Sequence, residues 1–135
     1  MLTALGRARD NSTVREAGAQ NRKLFHGMLK HAKYQIGQIV RHRLYPFRGV
    51  IFDVDPTFNN SEDWWLSIPP EIRPRKDQPY YHLFAENDET EYVAYVSEQN
   101  LLPDDSGEPL RHPDIPEVFD GPENGIYRFR GEQKH

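Results

Sequence analysis

The chain has 135 residues, of which 17 are Lys or Arg and 21 are Asp or Glu, so its formal net charge is −4. This length is typical of one folded domain. The absence of cysteine excludes a disulfide framework and a thiolate metal site. The sequence contains no apolar run long enough to span a membrane and no signal-peptide pattern, so we expect a cytoplasmic protein without a membrane contact.

Charge divides the chain into three parts. Residues 1–33 hold seven basic and two acidic side chains, residues 34–101 hold six and eleven, and residues 102–135 hold four and eight. We therefore predict a basic N-terminal arm over 1–33, a folded domain over 34–102 and a proline-rich acidic tail over 103–135. The arm is expected to be partly disordered or to form a short helix, because its amphipathic stretch covers only about three turns.

Two β-strands are predicted at the start of the folded domain. Residues 36–44 are rich in β-branched side chains, with Gly37 as a turn or bulge. A second strand begins near Gly49, where we expect a bulge or bend, and is closed by Pro56. The few residues around Pro46 join the two strands, which indicates an antiparallel hairpin.

The segment 56–79 is too rich in proline to be a strand. Ser61 followed by two acids resembles a helix N-cap, so one or two helical turns are expected over 61–68. Two adjacent tryptophans on a helical turn point about 100° apart, so burying both requires a wrapped loop. An exposed tryptophan would mark a partner site, since Trp and Arg are enriched at binding hot spots. The candidate partner-binding residues are Trp64, Trp65, Arg73, Arg75 and Lys76.

A second hairpin is predicted from residues 80–86 and 92–97, which alternate with period two around turn residues 87–90. Both faces of these strands are partly apolar, which favours a small closed antiparallel barrel over a sheet with one wet face. The predicted fold class is therefore all-β. The tail is expected to contribute packing onto the body through Ile115, Val118 and Phe119.

Titratable side chains give weak signals for catalysis. His82 could form an acid/base pair with Glu86, but a strand histidine between aromatic residues is better explained as a packing residue with one hydrogen bond. The acids Asp53, Asp55, Glu86, Asp88, Glu89 and Glu91 are interpreted as a solvated rim, with metal binding as the less favoured alternative. We predict no catalytic residue, no cofactor and no metal site.

Basic residues also gather on the first hairpin. Arg41, Arg43 and Arg48 are candidate DNA-binding residues, because Tyr45 and Phe47 lie between them and aromatic rings can stack on bases. The alternative is that these arginines pair with nearby carboxylates. An acidic body has little attraction for phosphate, so DNA binding would need a one-sided basic face.

Four motifs follow one another along the chain: Gly-Gln-x-Val-Arg-His from Gly37, Gly-Val-x-x-Asp-x-Asp-Pro from Gly49, Pro-Tyr-Tyr-His from Pro79, and Tyr-Val-x-Glu-x-Asn-Leu from Tyr95. In this order they resemble the HspQ heat-shock protein family, also called the YccV-like or hemimethylated DNA-binding domain family, over residues 34–102. The positions that match are Gly37, Val40, Arg41, His42, Gly49, Val50, Asp53, Asp55, Pro56, Tyr81, His82, Tyr95, Glu98, Asn100 and Leu101.

The resemblance implies a small SH3-like β-barrel and a non-enzymatic bacterial stress protein. Members are linked to replication-initiator levels, to hemimethylated origin DNA and to substrate choice by the Lon protease. Two functions follow as hypotheses: an interaction module of protein quality control that acts with a Lon-type protease or its substrates, and, as the alternative, a regulator that binds hemimethylated DNA. Homo-oligomerisation is left open.

Overall fold

The computed structural model describes residues 32–130, and its principal sheet has five antiparallel strands. These are β1 (Ile39–His42), β2 (Arg48–Asp55), β3 (Tyr80–Glu86), β4 (Glu91–Ser97) and β5 (Leu101–Pro103). A short helix, α1 (Glu62–Leu66), lies between β2 and β3, and a 3₁₀ turn, Glu98–Asn100, precedes β5. The chain continues through α2 (Ile115–Val118) and a hairpin of β6 (Phe119–Glu123) and β7 (Ile126–Phe129).

The predicted all-β class is confirmed, and the sheet is open. Its strand order is β4-β3-β2-β1-β5, and the two outer strands do not pair with each other within residues 32–130. The expected closed barrel is therefore not formed. The apolar character of both faces has another cause: each face is covered by its own layer of side chains, so burial does not require closure.

The first face of the sheet packs around Ile51, Val54, Tyr81 and Leu83, with Tyr34 from the segment before β1. Tyr34 contacts Tyr81 edge to face, with 5.7 Å between ring centroids. Its hydroxyl donates to the Leu101 carbonyl at 3.0 Å. These contacts fix the start of the described chain onto β3 and β5.

The second face is covered in part by the C-terminal segment. Val50, Phe52, Phe84 and Val93 of the sheet form one core with the apolar residues that follow Leu110. Ile115, Val118 and Phe119, which we expected to pack onto the body, are buried in this core. The segment after residue 103 thus contributes a second layer, although its prolines and charges hide any regular period in the sequence.

Gly37 makes the attachment of this layer possible. Its φ of +94° lies in the left-handed region, and a Cβ there would lie 2.1 Å from the Tyr127 carbonyl oxygen. The Tyr127 amide donates to the Gly37 carbonyl at 2.8 Å, and the Gly37 amide donates to Ile51 at 2.8 Å. Gly37 therefore joins β7 to the principal sheet.

The irregularity expected at Gly49 lies further along β2. Gly49 pairs with Ala85 in regular register, whereas the register between β2 and β3 shifts between Ile51 and Asp53. The shift places one extra residue, Phe52, in β2 and brings Asp53 opposite His82. Gly49 instead allows β2 to approach β3 closely, since a Cβ there would lie 2.5 Å from the Phe84 carbonyl oxygen.

The predicted N-terminal arm lies outside the described residues except for Ala32 and Lys33. Within residues 32–130, no helix has the length and apolarity that a membrane crossing requires.

Candidate interaction surface and the buried network beneath it

Helix α1 forms where the sequence predicted a cap. The Ser61 side chain accepts a hydrogen bond of 3.0 Å from the Trp64 amide. Glu62 and Asp63 occupy the first turn, where negative charge interacts favourably with the helix dipole. The Phe58 amide donates to the Lys76 carbonyl at 2.9 Å and closes the base of the loop. The two tryptophans that follow therefore start from a fixed backbone.

Trp64 points towards the sheet. Its ring packs against Tyr95 at 5.4 Å and Phe58 at 6.0 Å between centroids. Phe58 in turn meets Tyr80 edge to face at 5.2 Å. The indole Nε1 of Trp64 is buried and has no hydrogen-bond partner among the described residues. Trp64 therefore anchors the 56–79 loop on the second face of the sheet.

Trp65 is half-buried, and two cationic side chains lie near its ring. Its Nε1 donates to the Pro74 carbonyl at 2.9 Å. The Arg73 guanidinium lies 5.1 Å and the Lys76 ammonium 4.6 Å from its ring, both within cation–π range. Arg73 itself donates to the Ile68 carbonyl at 2.9 Å, so its position is fixed by backbone.

Two further side chains extend this surface. Leu66 has 49% of its area exposed and adds apolar area beside Trp65. Arg75 forms an exposed ion pair of 3.0 Å with Asp77 and, through that hydrogen bond, lowers the pKa of the Asp77 carboxyl. We name the α1 surface as Trp65, Leu66, Arg73, Arg75 and Lys76. It contains four of the five predicted partner-binding residues, and Trp64 supports it from below.

A buried polar network lies under the loop. The Tyr95 hydroxyl donates to Asp55 Oδ2 at 2.8 Å, and His82 Nε2 lies 3.0 Å from the same oxygen. The Tyr95 hydroxyl also accepts from the Asn59 amide at 2.8 Å, which ties the loop to the network. His82 has no exposed area, so its interpretation as a hydrogen-bonded packing residue agrees with this geometry.

Two expectations about the acids need correction. His82 pairs with Asp55 and not with Glu86, because the register shift at Phe52 brings the end of β2 alongside His82. Asp53, Asp55 and Glu86 are buried and do not belong to a solvated rim. The Tyr95 hydroxyl connects Asp55 to Asn59 of the 56–79 loop, and Arg111 pairs with Glu86 at 3.3 Å. Asp88 and Glu89 are exposed, as expected of turn residues.

The three candidate DNA-binding arginines differ in their surroundings. Arg41 and Arg43 are exposed, and Arg43 donates to the Asn100 side chain at 3.0 Å. Arg48 lies opposite Arg41 across the β1–β2 pair and is bound to Asp104 at 2.9 Å. Arg48 also donates to the carbonyls of Glu108 and Pro109. Its charge is therefore neutralised within the domain.

Comparison with known families assigns this architecture. A family model described as "Hemimethylated DNA-binding protein YccV like" matches residues 32–125. The chain belongs to the YccV-like family. The match confirms the resemblance and extends it beyond residue 102, through α2 and β6 to the turn before β7. The family is a binding-domain family. No solved structure matched the chain.

The YccV-like domain has an open groove beside these arginines, with a volume of about 520 Å³. Its charged lining mixes both signs: Arg41, Arg48, Arg111, Glu86, Asp88, Asp104 and Glu108. His42 also lines it, and its Nδ1 accepts hydrogen bonds of 3.0 Å from the Leu44 and Tyr45 amides. Burial, reinforced by the Arg43 charge, lowers the pKa of His42 to about 4. The imidazole is therefore neutral at pH 7.

Sequence reasoning missed the contacts of Arg111. Arg111 forms ion pairs with Glu91 at 2.7 Å and Glu86 at 3.3 Å and donates to the Asn87 carbonyl. These contacts hold the C-terminal segment against the β3–β4 turn. The sequence signal was weak, because Arg111 stands alone in a proline-rich stretch. The link between Tyr95 and Asp55 was also missed, since 40 residues separate them and only the register brings them together.

Proposed function

We propose that the YccV-like domain is a non-enzymatic protein-interaction module of protein quality control in the cytoplasm. It acts on degradation by a Lon-type protease, and the α1 surface is the part that contacts the protease or its substrates. The observation that carries the proposal is the placement of Trp65 between Arg73 and Lys76, next to the exposed Leu66.

The composition of the α1 surface supports a protein partner. Aromatic and arginine side chains dominate the binding energy of protein interfaces, and apolar area at their centre is desolvated on binding. Leu66 supplies such area, and Arg73 and Arg75 supply donors around it. Arg73 is already fixed by backbone carbonyls, so less side-chain entropy is lost when a partner binds.

The platform under this surface supports the same function. Trp64 packs on Tyr95, and the Tyr95 hydroxyl joins the Asn59 amide to Asp55. The Tyr80 hydroxyl donates to the Arg75 carbonyl at 2.8 Å and holds the far side of the loop. A preorganised loop binds with a smaller entropic cost than a flexible one, so these buried contacts serve recognition indirectly.

DNA binding is the second candidate, and the family description favours it. Arg41 and Arg43 are exposed on the first hairpin and are available to contact phosphate. Against it stand the neutralised charge of Arg48 and the acids in the adjacent groove. Binding through several phosphates weakens steeply with salt, whereas a contact centred on aromatic and apolar side chains weakens little.

The experiment is a pull-down from a lysate of the same organism at low and high salt, followed by identification of bound protein and measurement of bound DNA. The baits are the wild type, Trp65→Ala and Arg41→Ala/Arg43→Ala. We expect a Lon-type protease or its substrates to be retained at high salt and to be lost with Trp65→Ala only. Recovery of DNA that high salt removes, lost with the arginine variant and unaffected by Trp65→Ala, would replace this proposal by the second candidate.

A further inference from the structure

The buried network contains three side chains of types that bind metal ions. Asp53, Asp55 and His82 each place one potential ligand atom within 4.8 Å of the other two, and all three side chains are buried. Burying two carboxylates side by side is costly, because both charges lose water and repel each other. A bound cation or a shared proton usually offsets this cost. A measurement of metal binding distinguishes the two possibilities.

The fold holds these ligand groups on rigid elements. Asp53 and Asp55 stand two positions apart on β2, so their side chains share a face, and His82 lies directly opposite Asp53 on β3. The imidazole is packed between Phe52 and Tyr95, whose ring centroids lie 5.9 and 4.6 Å away. Sites built on strands position ligands more accurately than sites on loops.

The chemistry of this set favours a particular class of ion. One imidazole nitrogen and two carboxylates suit Zn²⁺ and neighbouring transition-metal ions, whereas Mg²⁺ prefers oxygen ligands and keeps several waters. Zinc binds such ligands at roughly 2.0–2.2 Å, so two ligands of one ion lie about 3–4 Å apart. The separation of 3.0 Å between His82 Nε2 and Asp55 Oδ2 is close to that range.

Tyr95 has the role expected of an outer-sphere group. Its hydroxyl donates to Asp55 Oδ2 and so orients that carboxylate, as hydrogen-bond donors commonly do around metal ligands. The same hydroxyl accepts from the Asn59 amide of the covering loop. The Tyr95 hydroxyl therefore connects Asp55, one of the three ligand groups, to the 56–79 loop.

We propose that Asp53, Asp55 and His82 bind one divalent transition-metal ion, with Zn²⁺ as the best fit, beneath the 56–79 loop. The ion is structural: it neutralises the two carboxylates and holds the end of β2 to β3. This site is independent of which partner the domain binds.

The test uses the full chain without a polyhistidine tag, stripped of metal with a chelator. Zinc affinity is measured by competition with a chromophoric chelator, and Co²⁺ is added separately to record its visible absorption. The variants are Asp53→Asn, which keeps the shape of the side chain, and His82→Gln. The control is His26→Ala/His31→Ala, because these histidines could bind zinc elsewhere in the chain.

We expect one Zn²⁺ per chain, a rise in the thermal midpoint of the wild type on adding zinc, and no comparable effect of Mg²⁺. Either site variant should weaken zinc binding by more than about tenfold, and the control should leave it unchanged. Far-UV circular dichroism checks that each variant is folded. Absence of zinc binding by the wild type would overturn the proposal and leave a proton-bridged network. Affinity that is lost only in the histidine control would overturn it as well.

Discussion

The Tyr95 hydroxyl donates a hydrogen bond of 2.8 Å to the buried carboxylate of Asp55. This contact links β4 to the end of β2. The same hydroxyl accepts a hydrogen bond from the Asn59 amide, which belongs to the loop that carries α1. The outer surface and the buried polar network are therefore coupled through a single phenol. The predictions below test this coupling, the packing around it and the surface above it.

Replacing Tyr95 by Phe should destabilise the domain by about 1–3 kcal/mol, because Asp55 loses a donor and the Asn59 amide loses its acceptor in a buried place. Tyr92→Phe is the matched control, since the Tyr92 hydroxyl is buried with no hydrogen-bond partner among residues 32–130. Its removal should be neutral or stabilising. Urea unfolding of both variants gives the comparison, and equal losses would show that the Tyr95 hydrogen bonds contribute nothing specific.

His82→Ala should lower the thermal midpoint while leaving partner binding per folded molecule unchanged. The substitution opens a cavity between Phe52 and Tyr95 and removes a partner of Asp55, at a combined cost of about 2–4 kcal/mol. Thermal unfolding and a binding assay corrected for the folded fraction test the two halves separately. A selective loss of binding at full folding would instead assign His82 a direct part in recognition.

Acid should destabilise the domain through His42. The pKa of its imidazole is about 4 in the folded state, lowered mainly by burial, against an unfolded value near 6.5. Between these values the unfolded chain binds a proton that the folded chain does not, so the free energy of unfolding falls as pH falls. The loss approaches roughly 3 kcal/mol by pH 4.

Replacing His42 by Asn tests this pH dependence, because the amide oxygen can accept from the Leu44 amide as Nδ1 does. Urea unfolding at pH 7, 6 and 5 should show a shallower pH dependence for His42→Asn than for the wild type. His112, whose pKa burial also lowers, contributes equally to both proteins and cancels in the difference. Identical slopes would mean that the pKa of His42 is the same in the folded and unfolded states.

Gly49→Ala should destabilise the domain by about 3 kcal/mol or more, because its Cβ would lie within 3.0 Å of β3 backbone atoms that cannot move aside. Gly107→Ala is the comparison, since no atom lies within 4 Å of a Cβ there. Its positive φ of +74° should cost only about 1–2 kcal/mol. A smaller effect at Gly49 than at Gly107 would contradict the close approach of β2 and β3.

Much of the local structure could be predicted from the sequence. The period-two pattern gave β3 at Tyr80–Glu86 without error and β4 within one residue, and Ser61 with its following acids gave the cap of α1. These features succeed because each depends on neighbours in the sequence. Trp64 packs on Tyr95 while Trp65 packs on Arg73 and Lys76, which agrees with the angle between adjacent residues on a helix.

The long-range features could not be predicted in the same way. The extra residue at Phe52 has no sequence signal of its own, yet it decides that Asp53 lies opposite His82. The layer formed after residue 110 depends on Gly37, whose partner Tyr127 is 90 residues away. Pairings of this kind follow from the register and packing of the whole fold.

The most direct test of the central claim compares two exposed leucines. Leu66 on the α1 surface and Leu44 on the β1–β2 connection have 49% and 52% of their area exposed, so Leu66→Ala and Leu44→Ala remove equivalent apolar area. The affinity of the purified chain for a purified Lon-type protease is measured for the wild type and both variants at low and high salt. The account predicts that Leu66→Ala weakens binding by about 1 kcal/mol or more at both salt concentrations and that Leu44→Ala does not. Equal affinity of the three proteins, or loss with Leu44→Ala alone, would contradict it.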